Sequence, residues 1–333
     1  MCVHRISRRS FLKMAGVGGA ALAATQAGPL APAAQAQAPR GRPVPDPDIQ
    51  GLVDLHIHSE PDRRPRVMDD LEVARRARDA GVDAIVLKPI DFETASRAFL
   101  VRRAVPGIDV FGGITLNYAV GGLNLEAVQW MIAMGRGVGK IVWMPNVDAA
   151  AHLRHFRSTK PPVQVVQGDT IVPAAREILK LIARNRLVLA TGHLSGPECL
   201  VLIREARKEG VDRIVVTHAV QNPINMTVDE QKEAARMGAY IEHTMLGTVL
   251  GPDTPLIDPF YKVLRKVTLE EVARHIRATG PQQVVLSSDC GAAMGPAPMD
   301  ALKGLVVGLK RLGVTQAEVD LMMKTNPAKL LGL

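Results

Sequence analysis

Continuous runs of Val, Ile and Leu recur along the chain, and amphipathic stretches separate them. The runs predict eight strands, at 51–58, 83–89, 110–117, 140–146, 187–193, 213–218, 239–243 and 284–289. Most lack a polar alternation, the pattern of parallel strands buried on both faces. Helical periodicity fills the gaps, over 71–80, 174–185, 198–209 and 229–237. Gly81, Gly210 and Gly238 are placed to stop helices. Thr315-Gln316-Ala317-Glu318 is a capping box opening a last helix, which ends near Asn326-Pro327. Longer, Pro-containing loops follow strands four and seven. Repeated strand–helix units predict an α/β fold, either a closed (β/α)8 barrel or a doubly wound open sheet. No glycine-rich phosphate loop follows the first strand, which weighs against the open sheet.

Polar residues at the strand ends favour the barrel further. The first run closes on Asp54-Leu55-His56-Ile57-His58, so His56 and His58 point to one face. Strand five runs into His193, strand six into His218 and strand eight into Asp289. In a closed barrel, strand eight lies beside strand one, and these ends converge on one mouth. Neutral imidazoles and a carboxylate are transition-metal ligands. The competing reading makes the histidines satisfied core residues and Asp289 a helix N-cap.

The ends of the chain are different in kind. Ser7-Arg8-Arg9-Ser10-Phe11-Leu12-Lys13 is a twin-arginine export motif, followed by an Ala/Gly-rich stretch over 14–24. That stretch is too short to span a bilayer, so no stable membrane anchor is expected. Small residues before Ala36 suit signal peptidase, with cleavage expected near Ala36. Residues 1–38 then form the signal, 39–50 an extended Pro/Asp-rich linker and 51–333 the barrel. About 295 residues suffice for one large α/β domain. Location in the periplasm follows, with the twin-arginine translocase as the partner during export.

The formal charge of +8 includes Arg5, Arg8, Arg9 and Lys13 of the signal; without them the chain carries about +4. Aromatics are scarce and no basic block interleaves with them, which argues against nucleic-acid binding. Cys199 and Cys290 are expected to stay reduced, with Cys290 near the site but not a ligand. Met131 and Met134 read as core.

Together the ligand positions and the segments VDLHIHSEPD, GGITLNYAVGGLN, LATGHLS, YIEH and NPAKLLGL resemble the amidohydrolase superfamily of metal-dependent hydrolases over residues 51–333. The resemblance implies metal ligands at His56, His58, His193, His218 and Asp289. It implies one or two divalent ions, Zn foremost, with Mn, Fe, Co or Ni as alternatives. Asp289 would both touch the metal and take the proton from its water. One departure matters. Many binuclear members carry a carboxylated Lys or a Glu at the end of strand four; here Lys140 stands at that strand's other end. Lys88, near the end of strand two, is a candidate substitute. It reads equally as an ammonium that holds a substrate anion.

Asp54 reads as a buried acceptor behind the ligands. Glu242 and His243 are neighbours on a strand, so at most one faces the interior. Arg63 and Arg64 lie in the loop after strand one, as does Arg66. His152 and Arg154 lie in the loop after strand four, with His155 and Arg157. Singly these suit a solvated rim; as a set they suggest an anionic small-molecule substrate. Asn117 ends strand three and is a further substrate candidate. The implied function is hydrolysis of an amide, ester or lactone by metal-bound hydroxide, with Asp289, His218 and Lys88 catalytic. A metal-dependent decarboxylase or lyase on the same scaffold, and a periplasmic binding protein without catalysis, are the alternatives.

Overall fold

The computed structural model describes residues 44–135 and 137–333. The signal over 1–38 and the first part of the expected linker lie outside the described residues.

Among these, eight parallel strands follow one another around a barrel in chain order. They are β1 (Val53–Ile57), β2 (Ala84–Leu87), β3 (Asp109–Thr115), β4 (Gly139–Trp143), β5 (Val188–Ala190), β6 (Ile214–Val216), β7 (Tyr240–Thr244) and β8 (Val284–Ser287). The last strand returns to the first. Ile57 bridges Cys290 in parallel, His58 N donates to Cys290 O at 3.0 Å, and Asp289 N donates to His56 O at 2.8 Å. The open-sheet alternative is thereby excluded, and the seam of closure falls on the His-x-His segment itself.

The barrel helices are α1 (Asp70–Asp79), α2 (Ala95–Ala104), α3 (Leu125–Gly135), α4 (Pro173–Arg184), α5 (Gly196–Lys208), α6 (Val228–Arg236), α7 (Leu269–Thr279) and α8 (Pro298–Arg311). Their starts are written locally. The Asp69 carboxylate accepts from Glu72 N at 2.7 Å before α1. Capping boxes Ser195/Glu198 and Thr227/Glu230 open α5 and α6, and the expected Thr315/Glu318 box opens a short helix over Gln316–Asp320. Each cap satisfies backbone N–H groups that the first turn leaves unpaired. The inward stripe of α1, Val73, Ala74 and Ala77, is buried against the sheet.

The segment expected as an extended lead-in is instead a turn. Ile49 N and Gln50 N both donate to Asp46 O, and Ile49 is buried in the core. Lys303 of α8 holds the Asp46 carboxylate at 2.8 Å. Burying Ile49 ties the chain's entry to the N-terminal end of the barrel, worth about 1.5–3 kcal/mol.

Both long loops rise over the other end. The loop after β4 carries a short helix, Ala150–His155, and a two-stranded hairpin, Val166–Gln167 with Thr170–Ile171. The loop after β7 carries 3-10 turns over Leu246–Val249 and Pro259–Val263. Leu246, Leu250, Leu256, Tyr261 and Leu264 form a satellite apolar cluster with Cys290, Ala292 and Ala301. That cluster, separate from the main core, packs the β7 loop against the segment that follows Asp289.

Candidate metal centre

Side chains alternate across β1. Asp54, His56 and His58 share the face turned into the barrel, with Leu55 and Ile57 on the other. Asp54 secures the seam: its Oδ1 accepts from His56 N and from Ser288 N, both at 3.1 Å. Burial pushes its carboxyl up to about 6, against the pull of those hydrogen bonds. The acceptor role expected for Asp54 is the one it has.

With the backbones of β1 and β8 locked together, three ligand atoms converge. Ligand atoms of His56, His58 and Asp289 all lie within 4.8 Å of one another, and all three residues are buried. His58 Nε2 is 3.2 Å from Asp289 Oδ1. His56 Nε2 lies 3.0 Å from the same oxygen yet makes no hydrogen bond. On its far side His56 Nδ1 is 3.1 Å from Glu242 Oε1 and 3.3 Å from Oε2. Glu242 also accepts from His218 N at 2.9 Å. A carboxylate on Nδ1 fixes the tautomer and leaves the Nε2 lone pair for a cation.

Backbone strain marks the same residues. Asp289 has φ 52° and His218 φ 27°, in the left-handed region that non-glycine residues rarely enter. Two glycines let these ends approach. Gly291 has φ 127°, and a Cβ there would stand 1.8 Å from His58 O. Gly192, just before His193, has φ 63°, and its Cβ would meet Met144 O at 2.2 Å. Asp289 caps no helix, because α8 begins only at Pro298, after Ala297.

His193 and His218 stand outside the tight group. Their rings lie 4.9 Å apart, and His218 stacks 5.9 Å from His56. His193 Nδ1 is 2.8 Å from His152 Nδ1, so His193 is tethered from behind. His152 is buried between Phe156 and Phe260, with ring centroids 4.6 Å and 5.7 Å away.

An open-mouthed cavity of about 540 Å³ brings together His56, His58, Lys88, His193, His218 and Asp289. Arg64, Asn146, Gln221, Phe260 and Tyr261 complete much of its wall. Electrostatics suit ligation. Burial, helped by the Arg66 guanidinium, drives His58 down to about 3, and burial also lowers His193 and His218. These imidazoles are neutral at pH 7, the form that binds metal. His56 runs the other way: burial opposes its proton, but Asp289 and Glu242 outweigh it and raise the group to about 9. Burial would raise Asp289; the His56 and His58 beside it hold it well below the usual carboxylate range. A cation is thus favoured at His56 Nε2, where it faces Asp289. Two imidazole nitrogens and one carboxylate oxygen, with the cavity in front, fit a divalent transition metal.

Several candidate substrate residues are placed elsewhere. Arg63 is half exposed and bound to Asp91 at 2.7 Å, outside the cavity. Arg154 is exposed on the short loop helix and does not line the cavity. His152 lies behind His193 and is absent from the cavity wall. Asn117 is a buried clamp: its Nδ2 donates to Ile90 O at 2.7 Å and its Oδ1 accepts from Asn146 N at 2.9 Å. Arg64 does line the cavity, paired with Asp258 and with Cζ 4.3 Å over the Phe260 ring. Of the pair left open on β7, Glu242 faces inward. His243 points outward to His275, 5.8 Å away, with both ring nitrogens buried and unpartnered. Cys199 and Cys290 are both free and buried. Met131 is core, whereas Met134 is exposed.

Residues 51–242 match the model of a family described as "Family of unknown function (DUF6282)". The match spans more than half of the 333 residues. The chain belongs to this family. Within the DUF6282 span lie β1 to β6 and the start of β7, and with them His56, His58, His193, His218 and Glu242; Asp289 lies beyond it. Residues 5–25 match the twin-arginine translocation pathway signal sequence. No helix among the described residues is long and apolar enough to cross a membrane. Comparison with curated proteins finds no match.

Solved structures share the DUF6282 chain's fold. An organophosphorus hydrolase from Deinococcus radiodurans is 17% identical, with a TM-score of 0.55 over 85% of this chain and 92% of that one. An amidohydrolase from Pseudomonas aeruginosa is 13% identical, with a TM-score of 0.56 over 85% and 95%. An N-acetyl-D-glucosamine-6-phosphate deacetylase from Mycobacterium smegmatis is 18% identical, with a TM-score of 0.54 over 85% and 76%. These neighbours share the closed (β/α)8 barrel that the strand pattern predicts.

Proposed function

We propose that this DUF6282 chain is an exported, metal-dependent hydrolase that cleaves an amide, ester or lactone of a small anionic molecule in the periplasm. The observation that carries the reading is the convergence of His56, His58 and Asp289 in a cavity, with Glu242 behind His56. The twin-arginine signal supports export, and that route passes folded, cofactor-loaded proteins. Hydrolytic names among the structural neighbours support the reaction class.

When bound, a divalent ion supplies Lewis acidity, lowering the pKa of water from about 15.7 toward 7 and polarising the scissile carbonyl. The chain's own residues do the rest. His56 and His58 would hold the ion, and Glu242 keeps His56 in the ligating tautomer. Asp289 would offer its carboxylate to the ion, take the proton of the attacking water and pass it to the leaving group. His218 and His193 line the opposite wall, where they donate hydrogen bonds to the oxygen that gains charge. Phe260, Tyr261 and the β7 loop limit water.

The test is Asp289→Asn. It keeps the shape and an oxygen but accepts no proton. On a substrate found by screening esters, lactones and amides that carry a negative charge, kcat should fall by roughly 10²–10⁴. The acidic limb of the pH profile should vanish with it. Near-wild-type turnover in Asp289→Asn would remove that residue from the mechanism. Tight ligand binding with no turnover of any substrate would favour a binding protein instead.

A further inference from the structure

The cations of the loop after β1 and Lys88 differ in one respect. Arg63 is paired with Asp91, Arg64 with Asp258 and Arg66 with Asp62. Lys88 lines the cavity, is only 4% exposed, and among the described residues has no carboxylate within ion-pair distance. Its polar partners are neutral. Asn146 Oδ1 accepts from Lys88 Nζ at 2.8 Å when the carboxamide is oriented so that its Nδ2 donates to Met144 O at 3.1 Å. Pro89 O lies at 3.5 Å, and the Trp143 ring centroid at 5.7 Å. An ammonium has three protons to place, and a buried one without a counter-ion is costly. Burial draws Lys88 down to about 8, with Asp289 and Glu242 opposing, so most of it is still charged at pH 7.

The geometry points to Lys88, steadied by Asn146, as the receptor for a single carboxylate carried by the substrate. This deepens the hydrolase reading and rests on it. One unpaired cation calls for one negative charge. Phe260 and Tyr261 line the same cavity and offer aromatic contact to the apolar part of the molecule. The substrate class is then a small, monoanionic carboxylate with an aromatic or apolar flank next to the hydrolysed bond. Arg64 stays with Asp258 and Phe260 and shapes the wall.

Calorimetric titration of the metal-loaded mature protein with phenylacetate, and with phenylacetamide as the neutral counterpart, tests this without needing turnover. Phenylacetate should bind more tightly than the amide. Lys88→Met should weaken phenylacetate by about 10–100-fold, the scale of one charge-assisted contact. It should leave the amide and the metal content unchanged. Arg63→Gln, outside the cavity, should change neither ligand. Asn146→Asp keeps the ammonium but gives it a permanent partner, and should weaken phenylacetate at least as much. Equal phenylacetate affinity in wild type and either variant overturns the proposal. So does absence of phenylacetate binding, or equal binding of acid and amide. Loss of metal from Lys88→Met overturns it too, by assigning Lys88 to the metal centre. Lys88-dependent binding without hydrolysis of any ester, amide or lactone would contradict the hydrolase reading alone.

Discussion

The two walls of the cavity are built to different tolerances. On the β1/β8 wall, backbone bonds across the seam, the Asp54 carboxylate and Glu242 together hold His56, His58 and Asp289 so that their ligand atoms meet. On the β5/β6 wall, His193 is drawn back by His152, and His218 is fixed through its backbone while its Nδ1 stays unpartnered. The first wall brings together three ligand atoms that could hold a cation. The second is a row of neutral imidazoles facing it. The contrast teaches that ligand-type residues at strand ends do not make one equivalent centre. What ties down each residue from behind decides which ligand atoms converge.

The strongest way to break the comparison is to remove the first wall. His56→Ala with His58→Ala should abolish metal binding and lower the thermal midpoint, because bound metal stabilises only the folded state. His193→Ala should keep the metal. Metal analysis and thermal melts of both variants check this, and equal metal loss from both would erase the distinction.

Next in size is the charge that both walls face. Lys88 has its folded pKa depressed from 10.5 to about 8 by burial. A depressed group contributes stability above its unfolded pKa and loses it as pH falls through the folded value. Wild type should therefore carry a penalty on the order of 3 kcal/mol below pH 8. Lys88→Met should be more stable than wild type at pH 7 in urea titrations, with the gap closing as pH rises from about 8 to 10.5. A gap independent of pH would assign the difference to packing.

Smaller again is the support behind His56. Glu242→Gln keeps a hydrogen bond but loses the charge, and should cost about 10–100-fold in metal affinity, the usual scale for such partners. Metal competition with a chelator measures it. An unchanged affinity would make Glu242 a brace for the His218 backbone only.

Much of this was legible in the sequence, for physical reasons that differ by residue. Buried parallel strands announce themselves as apolar runs, and His56, His58, His193, His218 and Asp289 stand out at their ends. Capping boxes such as Thr315/Glu318 are local and could be read directly. Which of Glu242 and His243 faces inward was not local: it depends on the register of β7 against β6 and β8, where Val216 pairs Ile241 and Leu286 pairs His243. The one-residue alternation that limited the choice to a single member of the pair held. The basic loops could not be resolved residue by residue, because each partner is distant or in another loop: Asp91 for Arg63, Asp258 for Arg64, His193 for His152. Charge density near a site does not show which charges are already satisfied. Ile49 belonged to the core despite its Pro/Asp-rich surroundings, because a single apolar residue in a turn carries no periodicity.

The most direct test of the account is where the metal sits. Anomalous diffraction from crystals of the metal-loaded mature protein, collected at the metal's absorption edge, locates it without assuming any activity. The account predicts a peak about 2.0–2.2 Å from Nε2 of both His56 and His58 and from an oxygen of Asp289. A peak held instead by His193 and His152, or none beside the β1/β8 seam, would contradict it.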